Sequence, residues 1–267
     1  MPQSDILIIA KLILSLIIYL FNNRIVGILL AISIVTTPHI FPIVNTPASP
    51  PDPPIDVNKT IDFYAYGDSV TRATGDQLSP DGSDNYVLQM VKDYDPNATA
   101  MHNFDGGGMD SQWGVEHLDS HYTKNMKVFV YMFTNDPQTG LKVTDTVQDY
   151  LTIYYYVSNN GTIAIPCMPI LQSRAGYPFT YSIEWQSDRI RVIESEFDKR
   201  GIYYVKMYDA LDSVPGNGQI DDINTTFMPD GVHPNSTGQR IMGQYLWEHI
   251  PSSVKMTVDH LGSLQNL

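Results

Sequence analysis

Cysteine is nearly missing: Cys167 is the single one in 267 residues. No intrachain disulfide can staple the fold, so stability has to come from an apolar core. Basic residues are scarce as well, 16 Lys and Arg against 29 Asp and Glu, for a formal net charge of −13. Nucleic-acid binders displace phosphate counterions with clustered Lys and Arg, so no nucleic acid is expected as a partner. The Gly-x-Ser-x-Gly elbow of the usual α/β-hydrolases does not occur, nor does the His-Glu-x-x-His zinc motif. Asp93-Tyr94-Asp95 opens like a calcium loop, but Ala98 and Phe104 stand where Gly and Glu are required. With 43% hydrophobic residues the chain is neither disordered nor fibrous, and it carries no internal repeat.

The apolar residues are unevenly spread. Positions 6–44 are almost continuously apolar, broken by Lys11 and by Asn22, Asn23 and Arg24. Ile25–Val44 supplies 20 residues, enough for a hydrocarbon core of ~30 Å. Pro38, His39 and Pro42 weaken its second half as a helix, so a span starting nearer Ile6 is the alternative. No small-residue cleavage site follows a compact apolar core, which favours a retained signal anchor over a cleaved signal peptide. Lys11 and Arg24 precede the second stretch, and no base follows until Lys59. The positive-inside rule then puts the amino terminus in the cytosol and the bulk of the chain outside, membrane-anchored, or secreted if the segment is cleaved.

Residues 45–60 form a linker with five prolines between Pro47 and Pro54, favouring extended polyproline II. Positions 61–250 are expected to form one domain, with 251–267 as a tail. Asp5 and Asp52 offset Lys11 and Arg24, so the negative charge belongs to the domain. Five Asn-x-Ser/Thr sequons, at Asn58, Asn97, Asn160, Asn224 and Asn235, are candidate glycosylation sites in a secretory pathway.

Within the domain, Ile61–Tyr66, Ala98–Phe104, Val128–Phe133, Thr162–Cys167 and Ile202–Met207 read as buried strands. Amphipathic patterns at Tyr86–Tyr94, Val115–Tyr122, Val147–Val157 and Ile183–Arg200 lie between them, the last stopped by Gly201. This alternation predicts parallel βαβ units, a sheet covered on both faces, and ligands bound beyond the carboxyl ends of the strands.

Four short blocks sit at those ends. The first strand runs into Gly67-Asp68-Ser69, a turn that can expose a serine hydroxyl beside free backbone N–H groups. The second reaches Asn103 and then Gly106-Gly107-Gly108, where backbone can approach a ligand closely. The third ends at Phe133-Thr134-Asn135-Asp136, whose Asn can aim an N–H at developing negative charge. Near the end stands Asp230-Gly231-Val232-His233, an Asp three residues before a His, placed to hold the imidazole and fix its tautomer. A helix follows, with Ser236 and Gln239 in capping-box spacing.

In that order these blocks resemble the SGNH (GDSL-like) hydrolases. The resemblance implies a flavodoxin-like three-layer α/β/α sandwich with a five-stranded parallel sheet. It implies Ser69 as nucleophile, His233 as general base and Asp230 as its orienting acid. The oxyanion hole would be the amides of Ser69 and Gly108 with the side chain of Asn135, Gly107 being the neighbouring alternative. One position departs: Phe133 stands where the family has glycine, and a bulky side chain there would reshape the acyl pocket. No cofactor or metal is implied. The expected activity is hydrolysis of acyl esters, short ones such as acetyl foremost, on carbohydrates or small molecules. A lysophospholipase-type lipid esterase and a non-catalytic glycan-binding ectodomain are the alternatives.

Two further features read structurally. His117 and His121, four apart on an expected helix beside Glu116, suit a solvated helix face better than a metal site. The tyrosine run 154–156 and Cys167 are expected in the core.

Overall fold

The computed structural model describes residues 60–73, 85–103, 106–172, 182–212 and 225–255. The chain divides into two compact units, Met1–Pro47 and Ala48–Leu267; all described residues belong to the second. The expected anchor, nearly all of the linker, most of the tail and the sequons at Asn58 and Asn224 lie outside the described residues. Among the described residues, no helix is long and apolar enough to cross a membrane.

Four parallel strands form one sheet: β1 (Ile61–Gly67), β2 (Ala100–His102), β3 (Met126–Met132) and β4 (Ile163–Pro166), in the order β2-β1-β3-β4. Ala65 lies opposite His102 on one side and Val130 on the other. Every residue of β1 is buried, as expected of a central strand covered on both faces, which is why its sequence shows no polar alternation. The helices are α1 (Tyr86–Tyr94), α2 (Ser111–His121), the short α3 (Asp136–Thr139), α4 (Val143–Asn159), α5 (Ile183–Asp198) and α6 (Ser236–His249).

The two-residue strand period sorts the core into two layers. Phe63, Ala65, Val128, Val130 and Ile165 pack with Tyr86, Val87 and Met90 of α1 and Met242 and Leu246 of α6. Their strand neighbours Tyr64, Tyr66, Phe129 and Tyr131 pack with Leu118 of α2, Tyr150 and Ile153 of α4, and Ile190 and Phe197 of α5.

The expected fifth strand, Ile202–Met207, is reduced to one parallel bridge between Cys167 and Val205. Val205 N donates to Pro166 O at 2.9 Å and Met168 N to Val205 O at 2.8 Å. The next rung toward Tyr203 would need a donor from Pro166, which has no N–H. Beyond the bridge the chain turns into a 3₁₀ segment at Met207–Ala210.

The caps correct one sequence reading. Asn235, not Ser236, caps α6, accepting from Gly238 N. Gln239 is fully buried: its Oε1 accepts from Tyr86 N at 2.9 Å and its Nε2 donates to Val70 O at 2.9 Å. It ties α6 to α1 and to the turn after β1, rather than closing a capping box.

Candidate active site

The turn after β1 is held by side chains distant in sequence. Asn103, fully buried just past β2, accepts from Gly67 N at 2.9 Å and donates to Gly67 O at 2.8 Å, fixing both polar groups of that peptide. A Cβ on Gly67 would stand 2.2 Å from Met132 O, so only glycine lets β1 and β3 approach here. Asp68 is fully buried. Its carboxylate accepts from Val70 N at 2.9 Å, from Thr134 Oγ1 at 2.7 Å and from Thr134 N. Burial pushes its pKa up to about 6, although Thr134 donates from both its hydroxyl and its N–H, Val70 donates too, and the charge of His233 opposes the rise. Ser69 thus stands on a turn pinned to the ends of β2 and β3.

The loop before α2 approaches the same turn. A Cβ on Gly106 would come within 2.0 Å of Gly67 O. Gly108 takes φ +76° and has nothing within 4 Å of where a Cβ would stand, so its backbone is open on that side. Asn135 is buried and its Nδ2 donates to Met109 O at 3.0 Å. A carbonyl can only accept, so the NH₂ end of the amide faces this loop.

The third part comes from the turn before α6. Asp230 Oδ1 accepts from Val232 N at 2.9 Å and from His233 N at 2.7 Å. Its Oδ2 lies 2.7 Å from His233 Nδ1, and His233 Nε2 lies 2.9 Å from Ser69 Oγ. The carboxylate only accepts, so neutral His233 carries its proton on Nδ1, and Nε2 is left to receive one from Ser69. Partial burial pushes Asp230 upward, but donation from the His233 backbone and ring and from Val232 outweighs it, leaving the carboxyl below the ordinary carboxylate value. The Asp230 side chain nevertheless remains 53% exposed.

The structure therefore brings Ser69, His233 and Asp230 into one hydrogen-bonded row, and places Asn135 against the loop that carries Gly108. Sequence reading missed Asn103, Asp68 and Thr134. Asp68 and Thr134 flank named residues in the first and third blocks, and Asn103 opens the second; the pairing between these blocks becomes visible only in three dimensions.

Phe133 packs into the core while lining a cavity together with Thr134 and Asp136. Its ring is buried, 5.6 Å from Tyr66 and 6.3 Å from Tyr150 between centroids. It lies over Gly114 of α2, where a Cβ would come within 2.3 Å of the ring. The histidines of α2 differ from the solvated face expected. His121 is buried with its Nδ1 3.2 Å from Tyr64 Oη, whereas His117 stacks on Trp113 at 4.6 Å. Among the described residues, no group of three or more His, Cys, Asp or Glu side chains is placed to hold a metal ion. Cys167 is fully buried, which pushes its thiol pKa up. Asn97 and Asn160 are exposed, although Asn160 Nδ2 donates to Tyr156 O at 2.8 Å. Asn235 is less available, its Nδ2 donating to Thr226 O at 3.0 Å while its Oδ1 caps α6.

No family model and no curated protein matches the sequence. Solved structures do match. A lipolytic protein of the G-D-S-L family from Desulfitobacterium hafniense superposes with a TM-score of 0.56 at 12% identity, covering 70% of this chain and 98% of its own. A lipase/acylhydrolase from Enterococcus faecalis gives 0.56 at 17% identity, over 70% and 93%. An acetylxylan esterase from Geobacillus stearothermophilus gives 0.54 at 13%, over 70% and 92%. With the strand order and the placement of the four blocks, these likenesses make the domain's fold that of the SGNH (GDSL-like) hydrolases.

Proposed function

We propose that the domain is a serine esterase that hydrolyses acyl esters, short ones such as acetyl foremost, on carbohydrates or small molecules. The observation that carries this reading is the unbroken row Asp230 Oδ2–His233 Nδ1 at 2.7 Å and His233 Nε2–Ser69 Oγ at 2.9 Å. A serine hydroxyl is a weak nucleophile until a base takes its proton in the transition state. Here His233 Nε2 takes it as Ser69 Oγ adds to the ester carbonyl. The resulting oxyanion meets the N–H groups of Ser69 and Gly108 and the second hydrogen of Asn135 Nδ2. On collapse, His233 returns the proton to the departing alkoxide and Ser69 keeps the acyl group. Water then attacks the acyl-enzyme, His233 takes its proton and passes it to Ser69 Oγ as the Oγ–acyl bond breaks, and the acid leaves. No step calls for a metal or cofactor.

The inert glycan-binding alternative would need Phe133 to close the acyl pocket, and inert wild-type protein is the result that would favour it. From the apolar stretch at 6–44 we infer that the domain is held on the extracytoplasmic side of a membrane and glycosylated at the exposed Asn97 and Asn160. The full chain should hydrolyse p-nitrophenyl acetate, and Ser69→Ala and His233→Ala should abolish the turnover. Rates that instead grow with acyl length across a p-nitrophenyl ester series would move the assignment to a lipid esterase. Equal inertness of wild type and both variants across that series would defeat the esterase reading.

A further inference from the structure

Behind Asn135 lies a hydroxyl with two acidic oxygens against it. Ser111, the first residue of α2 and fully buried, gives its N–H to Asp136 Oδ1 at 2.7 Å, and its Oγ lies 2.7 Å from Asp136 Oδ2. The same Oγ is 3.0 Å from Asp149 Oδ2 on α4. A serine hydroxyl has one proton and can donate to only one of them. Asp136 is the buried member and the shorter contact. Burial pushes the Asp136 pKa up too, against donation from Ser111 and from the hydroxyl of Thr146, itself receiving Arg189 Nη2 at 2.6 Å. With three donors Asp136 is satisfied as a carboxylate. The remaining contact, Asp149 against a lone pair of Ser111 Oγ, is favourable only if Asp149 carries a proton and donates it.

The surroundings agree. Asp149 is faced by carboxylates on three sides: Asp136 from α3, Asp110 capping α2, and Asp145 on its own helix. From α5, Arg189 reaches toward this region but donates to Leu141 O and Thr146. Burial, then these like charges, push Asp149 up to about 6, even against the Ser111 hydrogen bond.

The position of this chain gives it a consequence. Asp136 directly follows Asn135, and Ser111 lies two residues beyond Met109, whose carbonyl holds the Asn135 amide. The glycine loop is therefore fastened at one end where Gly106 abuts Gly67 and at the other where Ser111 grips Asp136. We propose that Ser111 and Asp149 are positioning residues for the oxyanion donors, Asp149 holding a proton that it donates to Ser111 so that Ser111 locks the Gly108–Met109 loop against Asn135. This rests on the esterase reading for its effect on rate, but not for the proton itself.

Two measurements test it. The infrared difference spectrum of wild type minus Asp149→Asn should show a protonated carboxyl band at pH 5 that is lost as pH rises past about 6. In steady-state hydrolysis of p-nitrophenyl acetate, Ser111→Ala and Asp149→Ala should each lower kcat by between about tenfold and 10² with little change in KM, the scale of a small misplacement. Asp149→Asn, which still offers a donor, should recover most of that loss, and its kcat relative to wild type should grow with pH. An Asp149 band that titrates with ordinary carboxylates overturns the proposal, and so does an unaltered kcat in Asp149→Ala. If the wild-type chain turns over no ester, the esterase reading fails and takes the positioning role with it, while the infrared band still decides whether Asp149 holds the proton.

Discussion

The two halves of the site are built in opposite ways. The serine side is buried and assembled from afar: Gly67, Asp68 and Asn135 are held by Asn103, Thr134 and Met109, contributed by the segments after β2 and β3. The histidine side is local and half in water. Asp230 orients a ring three residues away using bonds formed within a single turn, and more than half of its side chain is exposed. A turn that carries its own acid can sit at the rim, whereas a nucleophile whose neighbours carry buried polar groups needs each of them satisfied, because an orphaned donor or acceptor costs about 1–3 kcal/mol.

This contrast can be broken from either side. The largest effect should come from the row itself: Ser69→Ala or His233→Ala should lower kcat by about 10⁴ or more, and the double variant no further, since the two act as a unit. Steady-state rates on p-nitrophenyl acetate check this. Asn135→Ala comes next, with kcat down by about 10²–10³ and KM nearly unaltered, the loss of one oxyanion donor; an equal rise in KM would make it a ground-state contact instead.

Asn103→Ala touches no substrate but orphans the N–H and C=O of Gly67. A denaturant titration should show about 1–3 kcal/mol of lost stability per group left unpaired, accompanied by reduced kcat. Asp230→Ala should leave the denaturation midpoint nearly in place while lowering kcat. If the two variants traded signatures, the contrast between the halves would be wrong.

The smallest effect is on pH dependence. Asp68 is raised above its ordinary value of 3.8 to about 6, so the stability linked to its protonated form is fully present below 3.8 and is lost as pH rises toward 6. Asp230 is shifted the other way, so its contribution is present above 3.8 and disappears as the pH falls through its lowered value. Thermal melts between pH 4 and about 6 should therefore show a declining midpoint, with a shallower slope in Asp68→Asn.

The same contrast explains what could be read from the chain. Asp230-Gly231-Val232-His233 was the most specific pattern because its chemistry is contained in four consecutive residues. Gly67-Asp68-Ser69 said little by itself, because what makes it more than an ordinary turn is Asn103 and Thr134, 36 and 66 residues away from their partners. The first, third and fourth strands and every helix but the short α3 are legible from buried runs and amphipathic spacing. The fifth was overstated although Pro166 stands inside the preceding strand, its missing donor the signal that pairing there would stop. Phe133 shows the same limit: its identity is visible in the sequence, but the space made for it by Gly114 is contributed from another layer.

That ring and that glycine restrict each other's replacement. A methyl group added at position 114 would strike the ring, and trimming Phe133 to glycine, as the resembled family has it, would open a void beneath Tyr66 and Tyr150. Either change alone is a step downhill in stability, while the exchange of both restores the filling. The two sites amount to one volume shared between a helix and the end of a strand, and a designer wishing to repack that layer would have to move them as a pair.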